Sequence, residues 1–255
     1  MKDVAIQIKE LNKKIKICNK CRLSETRINI VCGQGELHPR FMLIAQAPGE
    51  NEDKKGQMFI GPSGKILDEL LETAKINRKN VYMTNLVKCM LPKCRKPKLD
   101  EIDSCKEYLD REIELINPEF LIPLGYYAIR YTFEKYSVYI PEKSEFPQVF
   151  GKLVWSGIKK ILPLKHPASI LYNKEYRERM TKNYKKLKIL SQDCKWYNVC
   201  PMKTFYEKGL LNRKWIELYC KGYWKECVRY QMEEKGEFHP DYMLADGSID
   251  ENLRM

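Results

Sequence analysis

Four short apolar runs, each followed by a helical pattern, constrain this chain more than any other feature. Residues 41–46 (FMLIAQ), 81–87 (VYMTNLV), 119–124 (EFLIPL) and 161–164 (ILPL) are largely apolar without strict alternation. That is how strands covered on both faces of a parallel sheet read. Helical periodicity occupies residues 63–75, 99–116, 126–135 and 174–188. Strands alternating with helices of that length predict an α/β/α sandwich around a central, mainly parallel four-stranded sheet. Ligands in such folds sit at the carboxyl ends of the strands. The segments that follow the strands are therefore where chemistry is expected.

Cysteines and charge divide the chain. Cys18, Cys21, Cys32, Cys89, Cys94 and Cys105 precede a long cysteine-free gap, and Cys194, Cys200, Cys220 and Cys227 follow it. Residues 1–190 hold 36 basic and 23 acidic side chains, whereas residues 191–255 hold 10 and 11, so the basic excess belongs to the first part. Both shifts place a domain boundary near Leu190: a domain at 1–190 and a small, mostly helical, four-cysteine module at 191–255. Four cysteines in that module, interleaved with Trp196, Tyr197, Trp215, Tyr219, Tyr223 and Trp224, suit a metal staple, because so few residues bury little core. Zinc, a second iron-sulfur cluster, or four free thiols in a helical extension all fit. The module's near-neutral charge points to a protein contact or a stabilising role.

No run of about 18 uncharged apolar residues occurs, and residues 1–16 mix Lys, Asp and Glu. A cytoplasmic protein without a membrane span is expected, in which reduced thiols remain available for metals. The 44% hydrophobic content excludes a disordered tail protein. Lysines and arginines cluster at 13–16, 93–98, 159–165 and 182–188. They form either a solvated surface or the contact face for a polyanion.

The strand ends are rich in polar and turn-forming residues. The first strand runs into AQAPGENED (45–53) and then MFIGPSG (58–64), the second ends in TNLVKC (84–89), and the last leads into Lys165 and HPAS (166–169). A Pro-Gly turn, an Asn or a His-Pro is ordinary loop sequence when isolated. Together, at the same edge of one sheet, they make a pocket.

These residues resemble the iron-sulfur uracil-DNA glycosylases, family 4 of the uracil-DNA glycosylase superfamily. AQAPGENED is similar to the family's Gly-Glu-Ala-Pro-Gly-x-x-Glu-Asp, MFIGPSG to its Phe-[Val/Ile]-Gly-x-x-Gly, and HPAS to its His-Pro-Ser-Ala. TNLVKC and the spacing Cys18-x2-Cys21 with Cys89-x15-Cys105 also match. The resemblance covers roughly residues 10–190. Five ordered motifs are far more specific than one.

The resemblance implies a monofunctional enzyme that flips uracil out of single- or double-stranded DNA and hydrolyses its glycosidic bond, leaving an abasic site. Asn85 would pair with uracil N3 and O4, Phe59 would stack on the ring, and Ala47 would line the pocket. His166 would donate to uracil O2 as charge develops on the leaving base. Glu52 would stand near the base as a catalytic group. Ser169, Ile170 and Leu171 would form the wedge that fills the gap in the minor groove. Ser63 and Gly64 would offer backbone N–H groups to a phosphate, and Lys88, Lys93, Arg95, Lys96 and Lys165 would meet others. Cys18, Cys21, Cys89 and Cys105 would hold a [4Fe-4S] cluster; spacing alone also allows zinc. Cys194, Cys200, Cys220 and Cys227 lie outside the resemblance as a second set. A monomer is expected.

One departure bears on mechanism. Gln46 stands where the family has Glu; an amide can orient the attacking water but cannot take its proton. Glu50 and Glu52 are the surrogates at hand. Gln46 also motivates a second expectation, a catalytically weak binder of uracil-containing or single-stranded nucleic acid. A third keeps the fold and changes the base to another deaminated one such as hypoxanthine. Asn85 and Phe59 favour uracil.

Overall fold

The computed structural model describes residues 3–254. Six strands form one sheet: β1 (Gln34–Gly35), β2 (Phe41–Ala45), β3 (Val81–Asn85), β4 (Phe120–Pro123), β5 (Val154–Trp155) and β6 (Lys160–Ile161), in the order β1-β3-β2-β4-β6-β5. The inner four are parallel, as expected, but the sheet is six-stranded and mixed, because β1 and β5 add antiparallel edges. Two-residue edge pieces are too short to carry periodicity. Every residue of β2 and β3 is buried, as both-face apolar runs require.

The helices are α1 (Val4–Lys16), α2 (Glu50–Lys55), α3 (Pro62–Thr73), α4 (Leu99–Ile116), α5 (Tyr126–Lys135), α6 (Ser169–Tyr172), α7 (Tyr176–Leu190), α8 (Pro201–Glu207), α9 (Arg213–Trp215) and α10 (Val228–Lys235). Leu43, Val81 and Ile122 pack with Leu67 and Leu70 of α3 and Tyr184 and Leu187 of α7 on one face of the sheet. Met42, Tyr82 and Leu121 pack with Ile8, Leu109 and Ile129 of α1, α4 and α5 on the other. This is the α/β/α sandwich, and each fully buried Leu or Ile contributes about 1.5–3 kcal/mol. At the start of α4, Glu101 accepts the Lys98 N–H at 2.9 Å, and Asn117 ends the helix in the left-handed region at φ 43°.

Parallel register aligns the strand ends. Ala45 lies opposite Asn85, and Leu124 bridges Leu164. The loops after β2, β3 and β6 therefore open on the same edge.

Past Leu190 the chain has its own small core of Met202, Phe205, Leu211, Ile216, Cys220, Leu244 and Leu253. It is also pinned to the sandwich. Arg40 reaches the Leu190 carbonyl and Asp193, each at 2.6 Å; the Trp224 indole N–H donates to Ile189 O at 2.9 Å; the Tyr223 hydroxyl donates to Gly151 O at 2.9 Å. No helix among the described residues is long and apolar enough to cross a membrane.

Candidate active site and thiol sets

A cavity of about 520 Å³ opens at the carboxyl edge of the sheet, and Gln46, Ala47, Glu52, Phe59, Asn85 and His166 all line it. Asn85, at the end of β3, is buried. Its Nδ2 donates to Met58 Sδ at 3.1 Å, a weak acceptor that a carbonyl oxygen would displace readily. The rings of Phe59 and His166 face each other, 27° from parallel with centroids 6.0 Å apart. His166 Nδ1 accepts the Ala168 N–H at 3.2 Å. Burial lowers the imidazole pKa to about 4. The ring is thus neutral near pH 7 and carries its proton on Nε2, the nitrogen left to donate.

Glu52 fastens the loop that carries Phe59. Its Oε1 accepts the N–H groups of Ile60 at 2.9 Å and Gly61 at 2.8 Å, so the carboxylate expected near the base is engaged by backbone. Glu50 is exposed and bonded to Lys54 at 2.7 Å, which holds its carboxyl below the usual range. Both carboxylates line the cavity with Gln46, Glu50 paired to Lys54 and Glu52 holding the loop through Oε1. Phe59 itself has φ 51°, a strained value for an aromatic residue. A Cβ on Gly64 would lie 1.9 Å from the Phe59 carbonyl oxygen. Gly64 is therefore a packing requirement, and its N–H donates to Gly61 O at 2.9 Å, which removes it as a phosphate donor. Ser63 lines the cavity.

Lys88 is the clearest departure from expectation. Only 1% exposed, its Nζ donates to Glu112 Oε2 at 2.5 Å, Thr84 Oγ1 at 2.6 Å and the Asn85 carbonyl at 2.8 Å. It supports Asn85 from behind and cannot reach DNA. Arg95 lines the cavity but forks onto Glu101 through both guanidinium nitrogens, at 2.8 and 2.5 Å. Lys165 is half-buried, 3.9 Å from the centre of the Tyr176 ring. Lys93 and Lys96 are exposed beside the cavity. On α6, Ile170 is 3% exposed and belongs to the core, whereas Leu171 and Tyr172 are 52% and 85% exposed and line the cavity mouth. Of the expected wedge residues, Ile170 therefore faces inward, and the exposed apolar pair on α6 is Leu171 with Tyr172. Tyr172, Met58 and Glu112 were missed; the exposed aromatic beside HPAS was the one available signal.

The thiols fall into two sets. Cys18, Cys21, Cys89 and Cys105 line one small cavity of about 20 Å³ between α1, α4 and the loop after β3. Arg27 Nη1 donates to Cys89 Sγ at 3.5 Å, and the Lys88 N–H donates to Cys105 Sγ at 3.3 Å. These donors suit sulfurs that carry negative charge, so the four residues fit a cluster. Cys32 is buried away from this cavity and Cys94 is exposed at the mouth of the larger one. Among the described residues, no three His, Cys, Asp or Glu side chains are placed to hold a single metal ion. Cys194, Cys200, Cys220 and Cys227 line a separate cavity in the C-terminal module.

An α/β/α sandwich whose strand ends enclose an amide, a phenyl ring and a neutral imidazole is a protein built to hold a planar ring by its edge and face. Residues 32–192 match the family model of the uracil DNA glycosylase superfamily. The chain is 36% identical over 213 residues to a type-4 uracil-DNA glycosylase of Sulfurisphaera tokodaii, covering 82% of this chain and 93% of that protein. It is 34% identical over 182 residues to that of Archaeoglobus fulgidus (70% and 90%), and 39% over 179 residues to that of Saccharolobus solfataricus (68% and 82%). The chain belongs to the uracil-DNA glycosylase superfamily, beside these type-4 relatives.

Proposed function

We propose that the protein excises uracil from DNA in the cytoplasm, as a monofunctional glycosylase that leaves an abasic site. The observation that carries this is the convergence of Asn85, Phe59 and His166 on one cavity at the sheet's carboxyl edge. A flipped uracil stacks on Phe59. The Asn85 amide accepts from N3–H and donates to O4, with Nδ2 exchanging Met58 Sδ for a stronger acceptor. As the glycosidic bond breaks, charge grows on uracil O2, and the His166 Nε2–H donates to it; the Ala168 N–H on Nδ1 fixes that tautomer. The Gln46 amide, lining the same cavity, holds the water that meets the oxocarbenium-like sugar. A cation this electrophilic needs only a weak nucleophile. No lysine is among the described residues that line the cavity, so Schiff-base cleavage of the strand has no amine within the pocket wall.

Exposed Lys93 and Lys96 meet phosphates, and Leu171 with Tyr172 fills the space the base leaves. Cys18, Cys21, Cys89 and Cys105 hold a [4Fe-4S] cluster, which when bound supplies a covalent tie between the N-terminal segment and the basic loop after β3. The substitution at Gln46 favours one competing function, uracil-selective binding with little turnover.

The test is incubation of anaerobically purified protein with a single-uracil oligonucleotide, with and without hot alkali, beside Asn85→Ala. Alkali-dependent cleavage at uracil that is lost in the variant is expected. Uracil-selective binding without cleavage would move the protein to the binding class, and cleavage without alkali would overturn the monofunctional assignment.

A further inference from the structure

Cys194, Cys200, Cys220 and Cys227 line one cavity of about 240 Å³, beyond the 32–192 segment that matches the glycosylase family. Four separate local structures bring them together. Cys194 follows α7, Cys200 precedes α8, Cys220 ends the π turn after α9, and Cys227 precedes α10. The Cys194 N–H donates to the Cys220 carbonyl at 2.8 Å, which ties the first segment to the third.

Arg229 supplies the independent observation. It is 3% exposed and forms part of the same cavity wall. Its Nη1 donates to the carbonyls of Pro240, Asp241 and Met243, each at 2.9 Å, while its Nε has no partner. A cation buried without a countercharge costs several kcal/mol. Four thiolates around a cationic metal core carry a net charge of about −2 and would provide that countercharge beside it. The first thiol set also has an arginine beside it, Arg27, which donates to Cys89 Sγ at 3.5 Å.

We propose that Cys194, Cys200, Cys220 and Cys227 hold a second four-iron iron-sulfur cluster, with Arg229 as its buried counter-cation. Geometry disfavours zinc: a single ion with Zn–S of about 2.3 Å needs its sulfurs close together, and among the described residues no three His, Cys, Asp or Glu side chains are so placed. The cluster would staple a module whose own core is seven buried side chains. The assignment is independent of the glycosylase activity.

Iron, acid-labile sulfide and zinc per chain would be measured on full-length protein purified without oxygen. About eight irons and eight sulfides are expected, falling to about four in Cys220→Ser/Cys227→Ser and to about four in Cys89→Ser/Cys105→Ser. An Arg229→Leu variant should shift the potential of the tail cluster to a more negative value and leave the other unmoved. Wild-type protein with about four irons that the Cys89/Cys105 variant loses entirely, or with one zinc that the tail variant loses, would overturn the proposal. About four irons lost entirely by the tail variant would support it while sinking the first cluster. The wild-type count decides between iron and zinc even where a variant fails to fold.

Discussion

Lys88→Met separates two accounts of one residue. If Lys88 met a DNA phosphate, its loss would leave stability unchanged and reduce the slope of log affinity against log salt by about 0.9. The structure requires the opposite. Lys88 Nζ lies 2.5 Å from Glu112 Oε2, and the two side chains are 1% and 0% exposed. Without the ammonium, Glu112 keeps two uncharged partners, the Thr84 hydroxyl at 2.7 Å and the Gly33 N–H at 3.1 Å. Breaking a buried pair from one side costs about 3–5 kcal/mol, a large share of the roughly 5–15 kcal/mol that holds a domain together.

The assay is equilibrium urea denaturation of the variant, performed anaerobically, paired with binding of single-uracil DNA across a salt series. A second variant, Lys88→Met/Glu112→Gln, removes both charges and should recover at least about 2 kcal/mol of the loss, since neighbouring groups couple by that order. Asn85 also loses the donor on its carbonyl, now 2.8 Å away, so KM for uracil DNA should rise with the salt slope unchanged. A loss below about 1 kcal/mol, or a double variant no better than the single, would refute the reasoning.

Four further outcomes follow from the same geometry. With the His166 pKa near 4, single-turnover excision should show no histidine inflection between about pH 6 and 8; one near 6.5 would contradict a neutral donor. Because that pKa lies below the ordinary 6.5, the unfolded chain binds the proton first. His166 therefore contributes stability in full above pH 6.5 and loses it as pH falls towards 4, by up to about 3 kcal/mol, readable as a decline in urea midpoint over that window. Gln46→Glu should raise single-turnover excision by up to about 10²-fold, the lower range for a positioned general base; unchanged or slower turnover would show that the amide suffices. Gly64→Ala places a methyl 1.9 Å from Phe59 O and should cost about 1–3 kcal/mol and raise KM, whereas wild-type kinetics would show that Phe59 does not depend on that turn.

Much of the architecture was legible because burial on both faces leaves an uninterrupted apolar run. β2, β3 and β4 fall inside the expected segments, and α4 and α5 have the expected bounds. α1 was passed over as a charged start, although Ile8, Leu11 and Ile15 are spaced for one buried helical face. The pocket was legible as motifs because each motif is contiguous. What sequence could not give was the partner of each charge. Glu112 lies 24 residues from Lys88 along the chain, and a lysine one residue before Cys89 reads as a phosphate contact until the sheet carries its side chain inward. The exposed face of α6 is hidden in the sequence for a related reason. HPAS marks where α6 begins, but only packing of Ile170 into the core turns Leu171 and Tyr172 outward.

Four of the buried carboxylates share one use, as acceptors for N–H groups of neighbouring loops. Glu52 accepts the N–H groups of Ile60 and Gly61; Asp53 accepts those of Ile28 and Asn29; Glu101 fastens Arg95 and the start of α4; Glu112 with Lys88 braces Thr84 and Asn85. Glu52, Glu101 and Glu112 sit under a loop or strand end that carries a group lining the pocket, and all four satisfy donors that water would otherwise serve. In Glu52 both N–H groups fall on Oε1, so its first use is to hold the Phe59 loop in place. On the proposed mechanism, with the Gln46 amide rather than a carboxylate beside the attacking water, rate comes from charge stabilisation at the leaving base by the Nε2–H of His166. The bracing of Asn85 by Lys88 and of the Phe59 loop by Glu52 then serves to hold the base still against that donor.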